Sequence, residues 1–177
     1  AGQKGGLFFS DTNRTATTSA STGYWGAISK TTDGGATWTE VFHSADTDAY
    51  YFNGIACTSD THCVAVTEGQ SSTDCNAFLT TDGGSSWTKS DVALDTNVVS
   101  CSSVSWISET EGWLGATAKN GRDLEGLFYK TTDGGKSYTL EQTVDNCFIM
   151  DIDSAGENGV ASCISSSGSM ASLAMYK

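Results

Sequence analysis

The sequence contains no proline, few basic residues and no long apolar run. Lysine and arginine total 9 against 21 acidic residues, which gives a formal net charge of −12. Such a chain repels polyanions and its basic residues are scattered, so nucleic acid and anionic membrane surfaces are poor candidates as partners. No apolar run approaches the ~20 residues of a membrane-spanning helix. The N-terminus lacks a signal peptide, so we expect that a secreted form has already lost its signal.

The chain also has few of the leucine, lysine and glutamate residues from which amphipathic helices are built. It is rich in serine, threonine and glycine, with 20 glycines in 177 residues. A single domain of short strands joined by glycine and aspartate turns is the class that this composition favours.

The six cysteines show no metal-type spacing, because Cys57 and Cys63 are too far apart for a CxxC pair. Only His43 and His62 could complete a zinc site, so we expect disulfides and no metal centre. Disulfides indicate an oxidising compartment, and the localisation predicted here is secreted or extracellular surface. The triplet that begins at Asn13 is a possible N-glycosylation site.

One nine-residue motif occurs three times. It reads KTTDGGATW from Lys30, LTTDGGSSW from Leu79 and KTTDGGKSY from Lys130, and its aspartates are 49 and 51 residues apart. A period of ~40–50 residues is typical of the blades of a β-propeller. The segments upstream also repeat, as a hairpin followed by a third strand, which makes four strands per period.

Each motif predicts a tight turn between the third and fourth strands. Its glycines supply backbone at positive φ, and its aspartate and threonine side chains can bond the backbone of the turn. The aromatic residue at the end can fill the gap between adjacent blades. The residues to which we assign this structural role are Thr31, Asp33, Gly35, Trp38, Thr80, Asp82, Gly84, Trp87, Thr131, Asp133, Gly135 and Tyr138.

This motif resembles the Asp-box, or BNR repeat, of sialidases, sortilin-type receptors, xyloglucan-active glycosidases and photosystem II assembly-factor-like propellers. The resemblance implies an all-β propeller whose blades are four antiparallel strands joined by Asp-box turns. It implies no single function, because unrelated activities share the element. In sialidases the Asp-box turns lie on the face away from the active site, so the resemblance implies no catalytic role for the boxes.

The motif spacing predicts a partial blade at 1–43, complete blades at 50–92 and 99–143, and a partial blade at 146–177. About three and a half blades leave both sheet edges open. We therefore expect a larger ring, completed by the remaining blades of the same precursor or by another subunit. A small four-bladed ring is the alternative.

The strand positions suggest three disulfides: Cys57 with Cys63 inside one hairpin, Cys75 with Cys101 between blades, and Cys147 with Cys163 inside one blade. Six cysteines allow fifteen connectivities, and the sequence does not select among them.

A complete sialidase site would need three arginines, whereas this chain has only Arg14 and Arg122. Hydrolysis of a neutral glycan would need two carboxylates ~5–10 Å apart across a cleft. The candidates on the face that carries the ligand in related propellers are Asp46, Asp48, Tyr50, Tyr51 and Asp123, with further carboxylates at Asp74, Asp91, Asp95, Glu125 and Asp145.

Two functions remain open at this stage. The first is a secreted, non-catalytic propeller that binds protein or glycan or acts as a scaffold. The second is a glycoside hydrolase of the Asp-box class, with part of its site outside this chain. No cofactor is expected, although Asp46 with Asp48, or Asp151 with Asp153, could supply oxygen ligands to calcium.

Overall fold

The computed structural model describes residues 6–9, 26–44, 50–69, 75–94, 97–155, 158–165 and 172–176, with side chains described except at 6–9, 155 and 172–176. Their regular secondary structure is entirely β, and they include no helix that could span a membrane. The strands are β1 Gly6–Phe9, β2 Ala27–Thr31, β3 Thr39–His43, β4 Tyr50–Cys57, β5 Cys63–Gly69, β6 Ala77–Thr80, β7 Thr88–Lys89, β8 Asp91–Val92, β9 Val98–Trp106, β10 Gly112–Asn120, β11 Asp123–Thr131, β12 Ser137–Asp145, β13 Phe148–Ala155, β14 Asn158–Ile164 and β15 Ser172–Tyr176.

The described strands form three hydrogen-bonded sheets. The largest consists of two four-stranded meanders joined by a single β5–β9 bridge, with β8 added parallel to β12, so that four blades follow one another in chain order. Blade one is β1–β3, blade two is β4–β7, blade three is β9–β12 and blade four is β13–β15. Blades two and three each have four strands that follow one another as a meander, which is the architecture of a propeller blade. The prediction of an all-β fold built from four-stranded propeller blades is confirmed.

The hydrophobic core lies between the blades. One cluster packs Ile28 of blade one against Phe52 and Ala65 of blade two. A second joins blades two and three, and a third buries Trp113 and Phe128 of blade three against blade four. The neighbouring residues Val64 and Ala65 are both fully buried although they belong to different clusters. Because successive side chains of a strand point to opposite faces, blade two is covered on both sides.

Each of the three repeated motifs folds into the same hydrogen-bonded turn. In the first, Thr31 Oγ1 donates to Asp33 Oδ1 at 2.8 Å and accepts from the Gly35 amide at 2.9 Å. The Asp33 carboxylate also accepts from the Thr37 amide and hydroxyl, at 2.9 and 2.6 Å. The same bonds recur in the turns at Thr80, Asp82, Gly84 and Ser86 and at Thr131, Asp133, Gly135 and Ser137.

These hydrogen bonds stabilise the ionised form of each aspartate. The Ser86 hydroxyl and amide, with Thr80, lower the pKa of Asp82 from 3.8 to about 2. Bonds from Thr37 and Thr31 hold the pKa of Asp33 well below its ordinary value. At Asp133 partial burial acts to raise the pKa, but bonds from Ser137 and Thr131 outweigh it and the pKa is lowered.

The first glycine of a turn links its own blade to the blade before it. The Gly83 amide donates to Thr61 O in the first hairpin turn of blade two, at 2.9 Å, and Gly83 O accepts from Lys30 Nζ of blade one, at 2.6 Å. Gly134 repeats the arrangement, because its amide donates to Thr110 O at 2.9 Å and its carbonyl accepts from His62 Nε2 of blade two at 2.7 Å.

The second glycine is required at the close approach between blades two and three. Gly135 has φ of 85°, and a Cβ there would lie 2.8 Å from Val64 Cγ2 and 3.1 Å from the Trp106 ring.

The aromatic residues that end the motifs differ in burial. Tyr138 is 2% exposed in the cluster between blades two and three, and Trp87 packs 6.4 Å from Phe42 of blade one. Trp38 is 42% exposed and its Nε1 donates to Gly35 O. The described residues include no blade on that side of blade one, so the role of Trp38 between blades stays a prediction.

The structure contains the three disulfides that the sequence suggests, and none of the six cysteines is free. Cys57–Cys63 closes the β4–β5 hairpin, Cys147–Cys163 joins β13 to β14, and Cys75–Cys101 ties blade two to blade three. All three belong to a protein of an oxidising compartment.

Removing the disulfide between the blades should cost more stability than removing the disulfide of the hairpin. The two bonds are 26 and 6 residues apart in sequence, so chain entropy assigns them about 3.5 and about 2 kcal/mol. We predict that the Cys75→Ala/Cys101→Ala variant loses about 1 kcal/mol more free energy of unfolding than the Cys57→Ala/Cys63→Ala variant, as measured by urea unfolding. An equal loss, or the opposite order, would contradict the importance of the link between blades.

The lowered aspartate pKa values predict acid sensitivity. Because these carboxyls titrate below 3.8 in the folded chain, the unfolded chain binds more protons in acid. Their contribution to the free energy of unfolding is complete above about pH 4–5 and falls as the pH approaches 2. In urea unfolding, the Asp82→Asn variant should be less stable than the parent at pH 7. It should also lose less free energy of unfolding than the parent when the pH is lowered to 2.5. The control variant is Asp91→Asn, which changes an exposed aspartate and should show the same pH dependence of the free energy of unfolding as the parent. If Asp82→Asn also showed that dependence, the assignment of acid sensitivity to the Asp82 carboxyl would be refuted.

Candidate functional site

The innermost strands of blades two, three and four lie side by side and enclose a groove of about 900 Å3. These strands are β4, β9 and β13, each the first strand of its blade. Residues 53–57, 102–106 and 150–153 line the groove. The stacking of the three blades therefore creates a concave surface that no single blade possesses.

Hydroxyl and carboxylate groups form the wall between blades three and four. Ser103 Oγ donates to Asp151 Oδ1 at 2.6 Å, and Ser105 Oγ donates to Asp153 Oδ1 at 3.4 Å. Backbone amides of β13 add bonds to both carboxylates. Asp151 and Asp153 are nevertheless exposed, so they present negative charge to the groove.

The carboxylate of Glu68 joins blades two and three at the edge of the groove. Glu68 accepts from Tyr51 Oη at 2.5 Å and from Asn53 Nδ2 at 2.8 Å, both on β4. Ser100 of β9 also donates to Glu68. Glu68 and Ser100 are paired residues of the single backbone bridge between β5 and β9. This carboxylate is thus held by three donors from two blades.

The groove lining is acidic and hydroxyl-rich. Among the described residues that line it are Asp151 and Asp153, but no lysine, arginine or histidine. The indole of Trp106 and the half-exposed Met150 add apolar surface. Such a lining can donate and accept hydrogen bonds with a neutral polyol or a peptide backbone, and its charge opposes a polyanion.

The candidates for the ligand-bearing face do not converge on one site. Tyr50 is only 8% exposed, because its ring packs 5.7 Å from Phe78 and 6.2 Å from Phe52, so its proposed role on a ligand surface is wrong. Tyr51 is 36% exposed and holds Glu68. Asp123 is exposed at the start of β11, on another blade. Asp46, Asp48 and Asn13 lie outside the described residues.

Sequence reasoning missed the serines of the groove. The hairpin pattern is compatible with a strand at CSSVSW, but it does not indicate that Ser102, Ser103 and Ser105 contribute to a groove. Closely spaced serines in an inner strand are unusual for a buried position, and this pattern is the signal that could have identified them. Asp151 and Asp153 had been considered only as calcium ligands. No group of three or more potential metal-ligating side chains occurs within the described parts of the chain.

Several solved propeller structures are similar to this chain. No family model and no curated protein matches the sequence. The chain is similar to YCF48 bound to a D1 peptide (20% identity, 71% of this chain and 40% of that one, TM-score 0.49). It is similar to an ulvan lyase of polysaccharide lyase family PL25 (9%, 85% and 41%, TM-score 0.48) and to YCF48 from Cyanidioschyzon merolae (16%, 77% and 60%, TM-score 0.34). The chain thus spans less than two thirds of each structure, and these likenesses assign no function.

Proposed function

We propose that this protein is a secreted or cell-surface propeller that binds a ligand in its inner groove and does not catalyse a reaction. We also propose that its three repeated turns are Asp-boxes, on the evidence of their shared bonding pattern. The observation that carries the proposal is the groove itself, a concave surface of about 900 Å3 built from three blades. Concave surfaces with a few placed polar groups are the usual sites of ligand binding.

The carboxylates near the groove support binding more than catalysis. Asp151 and Glu68 accept hydrogen bonds from serine hydroxyls of blade three, and Glu68 has further donors from blade two. These bonds hold each carboxylate in a bridge between blades. A general acid must instead direct its carboxyl group at the substrate. The bridges therefore give both groups a role in holding the groove open and polar.

The charge of the groove lining restricts the chemical class of ligand that the groove can bind. Asp151 and Asp153 face the groove, the part of the lining that the structure describes has no basic side chain, and the whole chain carries a net charge of −12. A polyanionic saccharide would meet repulsion at each of these levels. A neutral glycan or a protein segment fits the lining better. Calcium at Asp151 and Asp153, and a glycan on Asn13, stay predictions.

A paired binding and turnover experiment tests this function. The full chain is screened against neutral and uronate-containing oligosaccharides and a peptide array, and in parallel against chromogenic glycosides. We expect binding of a neutral or peptide ligand, no binding of the uronate series, and no turnover. Asp151→Asn/Ser103→Ala should weaken binding by about tenfold, as expected for loss of polar contacts worth about 1.4 kcal/mol.

Asp91→Asn/Thr88→Ala, which changes two exposed residues outside the groove, is the matched control and should bind like the parent. Turnover of a glycoside that Asp151→Asn or Asp153→Asn abolishes would establish the hydrolase instead. Ligand binding that both double variants retain would place the site elsewhere on the protein.

A further inference from the structure

One of the three disulfides differs from the other two in its access to solvent. Cys57 is half-buried and lines the groove. The other five cysteines are at most 2% exposed, namely Cys63, Cys75, Cys101, Cys147 and Cys163. Thiol–disulfide exchange requires an attacking thiolate to reach one of the two bonded sulfur atoms. Cys57–Cys63 is therefore the disulfide that a thiol can reach from the groove while the chain stays folded.

Blade three builds the same hairpin without a disulfide. Cys57 and Cys63 are paired across β4 and β5, and Trp106 and Gly112 are paired at the same position of β9 and β10. The Trp106 ring packs so closely on Gly112 that a Cβ at that glycine would lie 2.6 Å from it. A ring contact thus closes the hairpin of blade three where a covalent bond closes the hairpin of blade two.

The turns at the tips of these two hairpins also match in their hydrogen bonds. The Thr58 amide donates to His62 O at 3.0 Å, and the Ile107 amide donates to Glu111 O at 2.9 Å. In both blades the turn also accepts, at 2.9 Å, from the amide of the first glycine of the repeated motif. The cysteines of the disulfide are only 6 residues apart, so opening the bond restores little chain entropy. We therefore expect the hairpin of blade two to keep its shape when the disulfide is open.

We propose that Cys57–Cys63 is an exchangeable disulfide and that a small thiol attacks it at Cys57 from the groove. A bond forms between the incoming sulfur and Cys57 Sγ, and the Cys57–Cys63 bond breaks. Cys63 keeps the electron pair of the broken bond and takes up the proton that the incoming thiol has lost. Cys63 Sγ lies 3.9 Å from Ser59 O, which can accept a hydrogen bond from the new thiol. The groove then holds a mixed disulfide on Cys57.

A second thiol completes the reduction. It attacks the sulfur of the bound thiol, the mixed disulfide breaks, and Cys57 leaves as a thiol that takes up the proton of the second thiol. Two thiols are thereby oxidised to one disulfide, and their two electrons reduce the disulfide of the protein. None of these steps depends on which ligand the groove binds, so the exchange is independent of the function proposed above.

The order in which the three disulfides are reduced tests the proposal. The full, folded chain is treated with dithiothreitol for increasing times, its new thiols are alkylated, and the labelled peptides are identified by mass spectrometry. Cys57 and Cys63 should be labelled at least about 100-fold faster than the other four cysteines, because the buried disulfides react only when the blades open. Circular dichroism of the chain reduced at this one bond should match that of the parent. Equal rates for the three disulfides, or earlier labelling of Cys75 and Cys101, would overturn the proposal.

Two single substitutions identify the sulfur that is attacked. Cys63→Ser leaves Cys57 as a thiol that lines the groove, and Cys57→Ser leaves Cys63 as a buried thiol. Iodoacetamide should modify Cys57 in the first variant at least about tenfold faster than it modifies Cys63 in the second. Circular dichroism and urea unfolding establish that each variant is folded. Equal rates of modification, or a faster reaction of Cys63, would contradict attack at Cys57.

Trapping the mixed disulfide tests the chemical step itself. The probe is 2-mercaptoethanol, a neutral thiol that the acidic lining of the groove does not repel. After an acid quench, mass spectrometry should find the adduct on Cys57 and a free thiol at Cys63. Cys147→Ala/Cys163→Ala, which lacks a buried disulfide of blade four, is the matched control and should form the Cys57 adduct at the parent's rate. An adduct on Cys63, or none on Cys57 in either chain, would refute the exchange.

Discussion

The blades of this protein are apolar on both faces, and no blade can bury both without a neighbour on each side. Val64 and Ala65 show the constraint most directly, because they are adjacent, fully buried and packed against different blades. A sheet covered on one side only would leave one of the two in water. Stacking is therefore the condition under which the rest of the structure forms. Bonds to Gly83 and Gly134 then fix the position of blade two on blade one and of blade three on blade two.

The candidate site follows from the same stacking. Inner strands are brought together at one edge of the sheets, and there the apolar faces give way to serine, asparagine and carboxylate side chains. Bonds such as Ser103 to Asp151 cross from one blade to the next, so the polar edge contributes to the alignment of the blades as well as to the groove. A ligand that bridges β4, β9 and β13 would contact three blades at once. Binding there would stabilise the stack, in the way that any ligand selective for the folded state does.

Local signals made much of this fold predictable. The motif spacing gave the blade period, the glycines and aspartates gave the turns, and the hairpin pattern placed Cys57 opposite Cys63. The groove was not predictable to the same degree, because its residues come from three strands that are distant in sequence. Alternation along a strand identifies two faces but does not say which neighbour covers each. For the same reason Trp38 and Tyr138 look equivalent in sequence and differ in burial. Tyr50 is buried by the ring of Phe78 on β6 and by Phe52 of its own strand.

Native-state hydrogen exchange tests the central claim that the blades are stable only as a stack. The decisive amides are those of the second strands of blades two and three, among them Val64, Ala65, Leu114 and Ala116, all fully buried. The account predicts that these amides exchange through one shared opening, with the same free energy and the same dependence on denaturant. An opening that exposes the amides of blade two while those of blade three stay protected would contradict it.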